Sequence, residues 1–291
     1  MYVNGRECSI VIKTDIGEAD IPYSYESVRE AVSLIEEEIS VEGSGMRRAC
    51  RKRGGAEGCV ITPLTFHSAP LLLCLVMGAL GKPLYVSDTK NVYQYRLNLL
   101  PMEDAAYFDL VQNRSNKGDK AARRLYERCR VKGFELRVMR DEAVKLKIDI
   151  CGEKAPVEYH CIDEEENEAG ERFYGDRVFY NINGKEYKNI YGVTLSVNKT
   201  DGVRAELLIK RALENGGDLP QNIEEMSMTA LLLKDKHLRR RFGIFKVTLK
   251  RLVLISDETA VEAADSVIGP LRYYAAGPIQ TELHSSEDSL L

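Results

Sequence analysis

The sequence predicts a mainly β protein, an antiparallel β-sandwich or barrel with one or two flanking helices. The first of three observations behind this prediction is a hairpin pattern, in which apolar residues alternate with mostly charged ones over 134–139 and 144–151. Because side chains alternate faces along a strand, each half offers one apolar and one charged face. A slip of one residue would bring charge onto the apolar face, so the register is well specified. It pairs Phe134 with Ile148, Leu136 with Leu146, and Val138 with Val144.

A second hairpin pattern covers 192–197 and 203–209, and it resembles the first. A glycine begins each unit, at Gly133 and Gly192, and the turn at 198–202 contains residue types that tolerate a positive φ angle. Two amphipathic hairpins also look alike by coincidence, so both an internal repeat and a coincidence are open interpretations. In either case the two apolar faces need covering, which favours a sandwich or a barrel.

The third observation is a strongly apolar stretch from His67 to Leu80, which predicts a helix. Pro70 near its start and Gly81 after its end are the residue types expected at helix boundaries. The stretch is too short to cross a bilayer, so we expect a helix buried against the sheet. Shorter patterns predict further strands, at 8–13, 59–62, 93–100, 105–111, 225–233, 243–255 and 269–278.

A second helix is predicted near the start of the chain. Ser24 or Ser27 is a suitable N-cap, and apolar residues recur at helical spacing from Val28 to Ile35. The intervening residues are mostly Glu and Arg, so this helix is expected to lie on the surface.

Three regions follow from the order of these patterns. Residues 1–42 are the predicted N-terminal strand and helix region, and residues 43–280 are the predicted β domain. The β domain includes an acidic segment near 158–171, which is expected to be a solvated loop. Residues 281–291 are predicted to be a loose tail.

Composition restricts the compartment and the general partners of the protein. The chain has 291 residues, a net charge of −4 and seven cysteines. This charge gives no reason to expect general nucleic-acid binding. The cysteines are odd in number and form no CxxC pair, and residues 1–7 lack the charged-then-apolar order of a signal peptide. Reduced thiols, a cytoplasmic location and no membrane association are therefore expected.

One segment, 43–58, is both basic and rich in glycine. Its cations are Arg47, Arg48, Arg51, Lys52 and Arg53. Neither a P-loop nor a GxGxxG order is present. The open interpretations are a phosphate or nucleic-acid contact, a long mobile loop, a strand pair with a solvated basic face, and a loop that meets an acidic surface on another subunit. Removing these five positive charges from a chain of net charge −4 leaves −9 for the remainder, which is compatible with the last interpretation.

No catalytic constellation emerges from the sequence. The four histidines are scattered, and no serine lies in a GxSxG context. His160 and Cys161 are neighbours, but in a strand their side chains would lie on opposite faces. We therefore expect a protein that is not an enzyme and that holds no metal or cofactor.

The succession of parts resembles the tail tube (major tail) proteins of long-tailed bacteriophages. The resemblance covers roughly residues 43–277, and its motifs are loose patterns of glycine and apolar spacing. It depends on a glycine-containing strand entry, an apolar helix, an aromatic strand and a glycine-led hairpin, which correspond to 51–61, 70–81, 92–97 and 126–133. The N-terminal region and the acidic segment depart from the pattern.

The resemblance implies a structural protein with the fold of tail tubes, which is shared with type VI secretion tube proteins. Such chains form hexameric rings that stack into a conduit, through which DNA passes without sequence-specific binding. The implied partners are further copies of the chain and other tail proteins, and the implied location is the virion, assembled in the bacterial cytoplasm. On this view Arg47, Arg48, Arg51, Lys52 and Arg53 become candidates for the subunit interface. The alternatives are a ligand-binding β-barrel and a nucleic-acid-binding module that uses the basic segment 43–58.

Overall fold

The chain is mainly β, with all of its strands paired antiparallel and a single α-helix, α1 (Ser68–Met77), among the described residues. The computed structural model describes residues 8–15, 17–41, 44–79, 84–85, 93–114, 122–154, 156–158, 172–212, 219–233, 242–262 and 267–285. The acidic segment predicted near 158–171 lies almost wholly outside these residues. No helix in this part of the chain is long and apolar enough to cross a membrane.

The strands vary widely in length. Those in the first half of the chain are β1 (Cys8–Thr14), β2 (Gly17–Asp20), β3 (Tyr25–Glu26), β4 (Arg29–Val41), β5 (Ser44–Pro63), β6 (Leu84–Tyr85), β7 (Tyr93–Asn98), β8 (Phe108–Arg114), β9 (Ala122–Met139) and β10 (Lys145–Gly152). The others are β11 (Val157–Glu158), β12 (Val178–Ile182), β13 (Lys185–Glu186), β14 (Ile190–Asn198), β15 (Arg204–Ala212), β16 (Asn222–Leu233), β17 (Phe242–Glu262), β18 (Val267–Ala275) and β19 (Ile279–Ser285).

The two predicted hairpins lie side by side at the centre of the sheet. In β9–β10, Leu136 is opposite Leu146 and Phe134 is opposite Ile148, as the sequence predicts. The second hairpin, β14–β15, is joined to the first because β14 pairs with the other side of β9, where Leu195 is opposite Leu136. On one face of these four strands the alternating apolar residues are buried, among them Leu136, Leu146, Leu195 and Leu207, and this face forms one side of the core.

Two strand layers face each other across that core. One layer runs from β4 through β5, β10, β9, β14, β15 and β18 to the second half of β17. The first half of β17 belongs to the other layer, between β16 and β19, which β12 and β7 extend. Leu136 and Leu195 from the first layer and Val247 from the second line the same small internal void, together with Leu73 and Met77 of α1. The predicted class, a sandwich-like β fold with a flanking helix, is confirmed.

Two of the strands that change partners along their length, β9 and β17, each contain an arginine with a positive φ angle. Arg128 in β9 has φ 53° and Arg251 in β17 has φ 54°. A non-glycine residue in this region costs about 1–2 kcal/mol, so local contacts must offset it. The backbone N–H of Arg128 donates to Asp109 Oδ1 at 2.9 Å, and the carbonyl of Arg251 accepts from the Ala276 N–H at 2.9 Å. In β17, Arg251 lies between the part that pairs with β19 in the second layer and the part that pairs with β18 in the first.

Helix α1 is buried along its whole length, as predicted, but it ends at Met77, four residues before the predicted Gly81. Gly78 adopts the left-handed conformation, with φ 87°, and its N–H donates to the carbonyls of Cys74 and Leu75. Lys199 makes a second contact at this end of the helix. It directly follows β14 and has 0% of its surface exposed. Its Nζ donates a hydrogen bond to the Val76 carbonyl at 2.9 Å. Burial lowers the pKa of Lys199 to about 8.

The predicted N-terminal helix is wrong. Residues 25–26 form β3 and residues 29–41 form β4, and both strands pair with β5. The apolar spacing from Val28 to Ile35 fits either a helix or an irregular strand, and the register with β5 shifts between Glu30 and Val32. Long-range pairing therefore overrides the helix propensity of the glutamates.

The predicted tail from residue 281 is also wrong in part, because β19 extends to Ser285. Ile279, Thr281 and Leu283 are buried, and the residues between them are half-buried. This alternation was present in the sequence but directly follows the Gly277–Pro278 pair, which predicts a chain stop. Residues 286–291 lie outside the described residues. The remaining predicted strands are confirmed as β1, β5, β7, β8, β16, β17 and β18.

Replacing Leu136 by Asp should lower the free energy of unfolding by about 4 kcal/mol or more, because a carboxylate would be buried between two strands. Lys147→Glu changes the outer face of the same hairpin, where the lysine side chain is 39% exposed, and should cost about 1 kcal/mol at most. Chemical denaturation measures both changes. Loss of folding in Lys147→Glu would contradict the assignment of the two faces.

Lys199 should make stability rise with pH. Burial lowers its pKa from the ordinary value of 10.5 to about 8, so the unfolded chain binds more protons between these values. The free energy of unfolding should then increase across this window by about 3 kcal/mol at most. Lys199→Met removes the contribution, and the difference in unfolding free energy between wild type and variant should climb with pH. A difference that stays constant would contradict the buried ammonium group.

Candidate subunit interface

The basic segment of the sequence lies in a two-stranded ribbon that leaves the body of the fold. We call this ribbon the arm, made of residues 32–41 of β4 and 44–53 of β5, which pair with each other. Further along, residues 57–63 of β5 pair with β10 on the opposite side. Among the described residues no strand pairs with 44–53 on that side. At about 3.3 Å per residue the arm is about 33 Å long.

Close backbone contacts hold the base of the arm. A Cβ atom on Gly55 would lie 1.5 Å from the carbonyl oxygen of Gly152, so only glycine fits between β5 and the end of β10. Ser27, just before β4, is tied to β5 because its Oγ accepts from the Cys59 N–H at 3.1 Å and its own N–H donates to the Cys59 carbonyl at 3.0 Å. The base of the arm is therefore held in place by close contacts with the neighbouring backbone.

The basic segment was interpreted above as a loop or as part of a strand pair. The structure supports the strand pair, because residues 44–58 belong to β5. All five candidate interface residues lie in β5. Arg47 is opposite Glu38 and Arg48 is opposite Glu37, so two cations have acidic residues across the ribbon. The other three have none opposite them: Arg51, Lys52 and Arg53 are paired with Leu34, Ser33 and Val32.

A second unpaired strand side lies at the other end of the same layer. Residues 254–262 of β17 pair with β18 on one side, and no described strand pairs with them on the other. Apolar side chains are exposed beside this edge, with Val253 at 46%, Ile255 at 54% and Tyr274 at 38%. Exposed strand edges and exposed apolar side chains together mark association surfaces. Sequence analysis did not identify this edge, because the unpaired side of a strand depends on the whole topology.

The outer face of the central layer is charged and its ions are paired. Lys132 Nζ lies 2.9 Å from Glu57 Oε1 in a shallow cleft of about 360 Å³ at the base of the arm. The hydrogen bond between them lowers the pKa of Glu57 and raises the pKa of Lys132. Glu142 lies between Arg137 and Lys145, at 3.2 and 2.9 Å. This face is a half-exposed surface on which positive and negative side chains alternate.

The two alternative functions find little support in the described residues. The void between the two layers is about 10 Å³, whereas small-molecule sites occupy about 300–1,000 Å³. A nucleic-acid site would offer an aromatic ring for base stacking beside cations. Tyr107 lies beside two cations, but the guanidinium groups of Arg128 and Arg130 stack on its ring, at 4.1 and 3.9 Å from the ring centroid. In this part of the chain no group of three or more His, Cys, Asp or Glu is placed to hold a metal ion.

No protein-family model and no curated protein matches the sequence.

Replacing Gly55 by Ala tests how the arm is anchored. The new methyl group would press on the Gly152 carbonyl and separate β5 from β10, so the free energy of unfolding should fall by about 2–3 kcal/mol. Gly184→Ala is the control, since nothing lies within 4 Å of a Cβ there and only its positive φ angle would cost about 1 kcal/mol. Equal losses in denaturant unfolding would contradict the close approach at the base.

Proposed function

We propose that this chain is a structural protein of the tail tube kind, whose copies associate into hexameric rings and stack into a tube that conducts DNA. The observation that carries the proposal is the arm, together with the unpaired edge of β17 at the other end of the layer. An isolated two-stranded ribbon is marginally stable in water. A second molecule that covers both features would stabilise them.

Self-association explains why a single copy keeps these edges. Monomeric β proteins protect long edges with short strands, bulges or inward charges, whereas ring closure or stacking removes an edge by pairing it. β4 has 13 residues and pairs only with β5 among the described strands. The paired charges of the outer face also suit a tube through which DNA passes without sequence-specific contacts. On this proposal the tube belongs to a virion, is assembled in the bacterial cytoplasm and contacts other tail proteins.

Purified protein should form rings or tubes that negative-stain microscopy and light scattering detect. A variant in which a short glycine linker replaces residues 32–53 should remain folded, because β3 and the paired part of β5 are retained, but should stay monomeric. Tube length should also fall when salt is raised, since the screening length drops from about 10 Å at 0.1 M to about 3 Å at 1 M. Wild-type protein that stays monomeric at every concentration and salt would overturn the proposal.

A further inference from the structure

The arm and the β17 edge lie toward opposite ends of the strands in one molecule. One row of paired residues crosses the layer through Leu254, Tyr273, Leu207, Leu195, Leu136, Leu146 and Thr62. From this row, the β17 edge runs in one direction to Glu262. In β5 the chain runs in the other direction, back to Gly54, before the arm begins. The arm therefore points away from its own β17 edge, and only another molecule can bring the two together.

Charge distinguishes the two sides of the arm. Residues 44–53 of β5 include five cations and no acid, whereas β4 contains Glu30, Glu36, Glu37 and Glu38 with a single Arg. Residues 254–262 of β17 include Asp257, Glu258 and Glu262 and no cation. Like charges across an interface suppress pairing, and opposite charges favour it. The acidic β17 edge is thus complementary to β5 and not to β4.

We infer that residues 44–53 of β5 in one molecule add as a strand to residues 254–262 of β17 in a second copy. The inference rests on the self-association proposed above and names the two surfaces that perform it. Strand addition supplies main-chain hydrogen bonds to both unpaired edges. The exposed side chain of Ile255 lies on the acceptor edge itself, and those of Val253 and Tyr274 lie just before it. Because donor and acceptor are different surfaces, the contact repeats head to tail and builds either a closed ring or an open stack.

Charge reversal with rescue tests the pairing. The arm variant carries Arg51→Glu, Lys52→Glu and Arg53→Glu, and the edge variant carries Asp257→Lys, Glu258→Lys and Glu262→Lys. Each variant alone opposes like charges at the substituted positions, so the protein concentration needed for assembly should rise by about tenfold or more. In an equimolar mixture, each arm meets an edge of opposite charge on the other variant. The mixture should therefore assemble at about the protein concentration that wild-type protein needs for assembly.

A matched control makes the same total change of charge away from both edges. Arg137→Glu, Lys145→Glu and Lys147→Glu lie on the outer face of β9 and β10, and this variant should assemble near the wild-type concentration. If it fails as the arm variant does, net charge alone governs assembly and the inference is overturned. Thermal unfolding of each variant at a concentration below assembly confirms that the monomers are folded.

Cross-linking provides a second, independent readout. A carbodiimide joins an amine directly to a carboxylate, so it should link Lys52 to Asp257, Glu258 or Glu262 in assembled wild-type protein. Mixing isotopically labelled and unlabelled copies shows whether each link joins two molecules. Links from Lys52 only to β4, or only within one copy, would overturn the inference. If wild-type protein assembles while the mixture shows no rescue, the inference alone fails; if wild-type protein never assembles, the proposed function fails.

Discussion

Backbone pairing on both sides of β9 is the interaction on which the rest of the structure depends. β10 pairs with one side and β14 with the other over the same run of residues, so the buried row of Phe134, Leu136 and Val138 is held between two strands. Every other strand of the first layer is added to this group of three. The alternation of side chains then decides which face is apolar, and the second layer and α1 cover that face.

A consequence of building outward from the centre is that the last strands added must have a free side. Soluble β proteins cannot leave long free sides uncovered without a protective device. Here the device is charge of a single sign on each edge, positive on the arm part of β5 and negative on the second half of β17. Such an edge repels copies of itself and attracts the other edge. On the pairing proposed above, the same residues limit random aggregation and direct ordered association.

The central hairpins were predictable from sequence because their information is local. The register of Leu136 with Leu146 follows from alternation alone, and α1 follows from an uninterrupted apolar run. The arm was harder to predict, since Glu36, Glu37 and Glu38 are good helix formers and only their pairing with β5 makes them a strand. The five candidate cations were identified from composition, but the proposed acceptor edge could not be, because it is defined by which described strands are absent from one side of β17.

The position of β19 has a consequence for the order in which the nascent chain folds. β19 pairs with β7, so Asn98 meets Gln280, 182 residues later in the chain, and the two side chains share a hydrogen bond. Closing so long a loop is slow, and the second layer cannot be completed until that part of the chain has been synthesised. The central hairpins, in contrast, form from neighbouring residues. A molecule still on the ribosome can thus have its central hairpins before its second layer is complete, and, on the association proposed above, a chain that has not reached the second half of β17 cannot accept an arm.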